Sequence, residues 1–111
     1  MFKRLFTPIA IGSMVVRNRI VMPPMHMGYG AMDGTVTEKY RDYYEARAKG
    51  GTGLIITEAC AVHPERKYGL LPLCLYDDAL IPGWKELADA VHRHGAKLAA
   101  QLMDPGPESM K

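Results

Sequence analysis

Three short apolar runs constrain this chain more than anything else in it: Ile20-Val21-Met22, Leu54-Ile55-Ile56 and Leu98-Ala99-Ala100. Each is continuously apolar, as a strand buried on both faces must be. Each then changes character. The first runs into Pro23-Pro24-Met25-His26-Met27, the second into Thr57-Glu58-Ala59-Cys60, the third into Gln101-Leu102. Helical patterns lie between them. Strands alternating with helices predict a parallel sheet with right-handed crossovers. Ligands bind at the carboxyl edge of such sheets, so the three strand ends predict one shared site.

The rest of the pattern fills in around these runs. Ile9-Ala10-Ile11 and Met14-Val15-Val16 flank Gly12-Ser13 and read as a hairpin. The first barrel-type strand is expected over residues 19–22, ended by two prolines that cannot donate to a ladder. Residues 28–34 are a glycine-rich loop closed by the turn pair Asp33-Gly34. Thr35 with Glu38 fits a capping box, and Thr37 is a competing N-cap. The helix after it carries Tyr40, Tyr43, Tyr44 and Ala48 as an apolar stripe and stops at Gly50-Gly51. Residues 61–78 hold Pro64, Gly69 and Pro72 with no sustained period, which reads as a long functional or disordered loop. A second helix opens at Ile81-Pro82-Gly83-Trp84, with Trp84, Leu87, Ala88 and Val91 on one face and Gly95 as its stop. Residues 97–102 form the third strand, and Pro105 and Pro107 keep the segment beyond it from being a helix. The fold class is α/β: an N-terminal β-hairpin, then βαβαβ with parallel strands. Residues 1–111 form one unit with no internal boundary.

Composition excludes several partners. The net charge of +2 is spread along the chain with no run to track a phosphate backbone, so no nucleic acid is expected. No apolar run approaches the roughly 18 residues of a membrane span, and no signal-peptide pattern opens the chain. Cys60 and Cys74 form neither a C-x-x-C pair nor a disulfide framework. A reducing, cytoplasmic setting and no metal site are expected. His92 and His94 sit at a helix end, where local capping is the expected role. Cys74 reads as a loop thiol.

Several motifs succeed one another in order: Leu5-Phe6-Thr7-Pro8-Ile9, Asn18-Arg19-Ile20-Val21-Met22, Pro24-Met25, Asp42-Tyr43-Tyr44 with Arg47-Ala48, Gly53-Leu54-Ile55-Ile56-Thr57-Glu58-Ala59 and Gln101-Leu102. In this the chain resembles the N-terminal part of the old yellow enzyme family, the FMN-dependent NAD(P)H:flavin oxidoreductases. A whole (β/α)8 barrel takes roughly 200 residues or more, so the resemblance implies a partial TIM barrel, about the first third. It further implies FMN as cofactor, NAD(P)H as reductant, and hydride transfer through the flavin to an activated C=C bond of a small enone or enoyl-type substrate.

The resemblance also carries cofactor roles to particular residues. Pro24 and Met25 suit a wall against the flavin ring; the bland alternative is a simple strand end. Gln101 can donate and accept at the pyrimidine edge, or it can bond neighbouring backbone. Ala59 matches a small residue that lets backbone approach the ring, though ordinary packing also explains it. His26 would stand beside the redox-active edge, in a place where histidine resembles the 2,4-dienoyl-CoA reductase branch; otherwise it is a loop histidine bonded to water. No catalytic residue is assigned: the family's substrate-activating histidines, catalytic tyrosine and phosphate loops fall beyond Lys111. Asp104 and Pro107 replace the histidine and arginine usual after Gln-Leu. Weak or absent FMN binding by this chain alone is therefore expected, together with self-association or a barrel-completing partner. The alternatives are one half of a split barrel enzyme and a non-catalytic βα association module.

Overall fold

The architecture was obtained as a computed structural model, and the structure describes residues 1–110. The hairpin forms as expected: β1 (Ile9–Ile11) pairs antiparallel with β2 (Met14–Val16). The parallel unit comes next, as β3 (Val21–Met22), α1 (Glu38–Lys49), β4 (Leu54–Ala61), β5 (Leu73–Cys74), α2 (Ile81–His92) and β6 (Lys97–Met103). β4 is the centre of the sheet. Along one edge it pairs with β6 for its whole length. Along the other, β3 pairs with Leu54 and Ile55, and β5 pairs with Cys60 and Ala61.

Two local expectations are corrected, an open choice of helix cap is decided, and the last loop gains a turn. The second strand does not end at Ile56 but runs through Thr57-Glu58-Ala59-Cys60 to Ala61, because neighbours on both edges take up its backbone groups. The stretch 61–78 is not all loop; β5 lies within it and makes Cys74 a buried strand residue. The helix cap is Thr37, whose Oγ1 accepts from Tyr40 N–H, while Thr35 bonds to Asp33 instead. After β6, residues Gly106–Glu108 make a single 3-10 turn, which needs no long run of N–H donors.

β4 carries an extra residue. Ile56 pairs with Ala99 and Ala59 with Gln101, so Thr57 and Glu58 together oppose Ala100. This is a β-bulge, and it reverses the strand's alternation. Ile55 and Cys60 are five apart, which a regular strand would turn to opposite faces. Both nevertheless lie in one core, with Met22, Tyr40, Tyr44, Ala48, Leu73, Leu87 and Val91. Fully burying a side chain such as Leu87 or Ile55 contributes about 1.5–3 kcal/mol, so this helix-side layer carries most of the stability.

At the amino end of the sheet one side chain ties both helices down. Arg17, just after β2, donates to the carbonyl oxygens of Ala48 at 2.7 Å and Thr52 at 3.0 Å, and to that of His94. The first lies in the last turn of α1 and the other two just past the ends of α1 and α2, where a cation is favoured. The imidazole of His94 therefore caps nothing; its Nε2 lies 3.0 Å from Glu45 of α1. No helix among the described residues is long and apolar enough to cross a membrane.

Candidate functional site

Ala59 and Gln101 are direct partners across β4 and β6, so both side chains leave the same face of the sheet. It is the face opposite the helix-packed core, since Ile55 pairs with Leu98, which packs on that core. Gln101 is exposed there and Ala59 partly so. The bulge is what puts Ala59 on this side. Pro24, Met25 and His26 come directly after β3 and leave the ladder beyond Met22. Pro24 is half-buried and Met25 is 47% exposed. All five candidates thus lie toward the carboxyl ends of the three main strands. A small residue beside an exposed amide, with an apolar Pro-Met pair one strand away, fits a flat, amphipathic ring.

His26 has neighbours that sequence spacing does not indicate. Its Nδ1 lies 3.6 Å from Glu58 Oε2, and its ring meets that of Tyr68 edge-on at 6.4 Å. The ring also packs on Gly69: a Cβ there would sit 2.7 Å from Nε2. The chain crosses closely again at Gly30, whose N–H bonds to Leu71 O at 2.9 Å and whose Cβ would lie 2.5 Å from that same oxygen. Residues 69–72 are therefore stitched onto residues 26–30, with Leu71 held at a φ of 47°.

Beneath this junction lies Glu58, a residue to which the sequence pattern assigns no role. It is fully buried. Oε1 accepts from Leu73 N–H at 2.8 Å and from Tyr40 Oη; Oε2 accepts from Met27 N–H at 2.7 Å. Three donors on two oxygens suit an ionised carboxylate, which only accepts. Burial, reinforced by Glu58 beside it, pushes the Tyr40 hydroxyl well above the usual tyrosine range, so it stays a donor. Tyr44 Oη accepts from Glu58 N–H at 2.9 Å, and its ring stacks on that of Tyr40 at 6.1 Å. A polar residue among apolar strand neighbours is the available signal; its donors come from three separate segments.

Asp104 sits farther along. The Gly106 N–H and the Arg66 guanidinium, 2.9 Å away, hold its carboxyl below the usual range. Its charge is thus paired by Arg66, from the loop, in the absence of an arginine at 107. An open groove of about 910 Å³ lies alongside, between residues 64–67 and residues 106–110. None of the five candidates lines it.

Comparison with known proteins bears on the family and the fold. Residues 4–111 match the NADH:flavin oxidoreductase / NADH oxidase family. A NADH oxidase from Thermoanaerobacter brockii is 46% identical over 109 residues, which are 97% of this chain and 17% of that protein. A 2-naphthoyl-CoA reductase, solved with 2-naphthoyl-CoA, superposes with a TM-score of 0.94 at 30% identity, covering 99% of this chain and 17% of that one. The old yellow enzyme from Pichia sp. AKU4542 gives a TM-score of 0.88 at 31% identity, covering 96% and 28%. The chain thus spans well under a third of each of these relatives.

Proposed function

Because the chain belongs to the NADH:flavin oxidoreductase / NADH oxidase family, we propose that it supplies one wall of an FMN site in an NAD(P)H-dependent reductase of activated C=C bonds. The observation that carries this reading is the register of Ala59 with Gln101 on the exposed face. FMN held by these residues would supply the hydride-transfer chemistry between NAD(P)H and an enone or enoyl-type substrate. The chain's own residues bind and orient. Gln101 offers a donor and an acceptor side by side, as a pyrimidine edge requires. Ala59 leaves room for backbone to approach a ring, Pro24 and Met25 form an apolar wall, and His26 stands at its margin.

The remaining strands come from further polypeptide, in the same chain or in a partner. An unpartnered surface supports this. Leu102 lies on the helix side of β6, as the partner of buried Cys60, yet it is 61% exposed, and no helix among the described residues covers it. Substrates of the enoyl thioester type, as in the dienoyl-CoA reductase branch, are the proposed class within this reading. Free, buried Cys60 and Cys74 accord with a cytoplasmic setting.

Two measurements test it. FMN titrated into this chain alone, followed by fluorescence quenching, should show weak or no binding, since no phosphate anchor is among its proposed contacts. In the completed barrel, Gln101→Ala should weaken FMN by about 1–3 kcal/mol, the usual cost of an orphaned buried partner. Unchanged affinity and reduction potential in that variant would defeat the assignment of Gln101.

A further inference from the structure

Glu58 is the only buried acidic side chain among the described residues, and it reaches the helix side of the sheet, behind the face that carries Ala59 and Gln101. A carboxylate there is costly: well-packed apolar residues in place of buried charges are often neutral or stabilising. What it holds is therefore informative. One oxygen ties α1 and β5 through Tyr40 and Leu73. The other takes Met27 N–H and faces His26 Nδ1. Both of these last groups belong to the turn that carries Pro24 and Met25. That turn has left the ladder, because β3 ends at Met22. Glu58 supplies the fixed acceptor that a neighbouring strand would otherwise provide.

We propose that Glu58 is a positioning residue for this turn, holding residues 24–27 against the site through Met27 N–H and His26, from behind the strand and without touching the ring. The role in flavin binding rests on the proposed FMN site. The bulge at Thr57 and Glu58 makes the arrangement possible. Alternation carried on from Ile55 without it would turn Glu58 to the open face and Ala59 to the core; the extra residue puts Glu58 behind, toward the turn, and Ala59 on the open face in front.

Two variants separate positioning from packing. Glu58→Gln keeps the volume and one acceptor oxygen for Tyr40 and Leu73, but turns an NH2 donor toward Met27 N–H and His26. Tyr40→Phe removes the α1 donor to the same carboxylate, and with it the acceptor of Tyr29 N–H, but leaves the Met27 and His26 contacts to Glu58 in place. In this chain, amide hydrogen exchange at Met27 is read against that of Glu58 N–H, which bonds to Tyr44. In the FMN-reconstituted barrel, affinity, visible spectrum and reduction potential are read. Glu58→Gln should speed Met27 exchange about tenfold or more relative to the reference, weaken FMN by a similar factor and shift its potential. Tyr40→Phe should lower the melting temperature while Met27 exchange, relative to the reference, and the flavin potential stay as in the wild type. If Glu58→Gln instead changes stability alone, with Met27 and the reference exchanging in parallel or with affinity and potential unmoved, the proposal is overturned. A wild-type barrel that does not take up FMN sinks the flavin reading, and the Met27 exchange ratio then decides by itself whether Glu58 holds the turn.

Discussion

Arg17→Met tests how far one side chain secures the amino end of the sheet. The guanidinium serves the carbonyls of Ala48, Thr52 and His94. A hydrogen bond to a charged group contributes about 1.5–3 kcal/mol when buried. Arg17 is only partly buried and its carbonyls can recover water, so the three together should be worth less than their sum. Its buried Nε has no partner, which subtracts further. Loss of the cation from two helix C-termini adds about 0.3–1 kcal/mol each. The net expectation is a loss of about 2–4 kcal/mol, a large share of the stability of so small a unit. Arg17→Lys should recover less than half, because an ammonium cannot span three carbonyls as the planar fork does. Urea unfolding followed by far-UV circular dichroism reads this as a shift in midpoint at constant slope. If Arg17→Met costs under about 0.5 kcal/mol, the carbonyls are as well served by water and the account of the helix ends is wrong.

Other expectations are simpler to check. Burial pushes the Cys60 thiol up to about 12 and raises that of Cys74, so neither should react with a disulfide reagent at pH 8 until denaturant is added; fast labelling in buffer would contradict the packing. The hydrogen bond to His94, then the charge of Arg93, holds the Glu45 carboxyl below its ordinary range. Its contribution is therefore complete above that range and lost as pH falls through the depressed value. Glu45→Gln should flatten the acid limb of a stability-pH profile, and an unchanged limb would remove Glu45 from the account. Sedimentation at low and high concentration should show self-association through the open edges of β3 and β6; a strict monomer throughout would mean those edges are blocked.

The hairpin, both helices and the three main strands are legible in the sequence because each arises from local pattern: alternation, a capping threonine, a glycine stop. Between Thr35 and Thr37 the sequence does not choose, because Thr35 with Glu38 makes an equally good capping motif; the choice is settled by Asp33, which occupies Thr35. β5 is illegible, since two residues in a proline-containing loop carry no period. They become a strand only because the upper half of β4 offers an edge. The length of β4 is hidden for a related reason. Thr57-Glu58 looks like a strand running out, and it is polar because Glu58 collects donors from Met27, Tyr40 and Leu73, none of which is near it in sequence. Arg17 is silent in the same way. The positions of Ala59 and Gln101 are readable as strand ends, but their pairing needs the register.

The bulge in β4 also bears on which length changes this chain could tolerate. A deletion in a core strand ordinarily turns every later side chain to the wrong side of the sheet. Removing Thr57 would not. Ile55 and Ile56 would keep their partners, as would Ala59, Cys60 and Ala61, and each would keep its side, because two residues facing Ala100 would become one. Relatives one residue shorter at this point can therefore share the same core and the same open face. What they would give up is the kink that aims position 58.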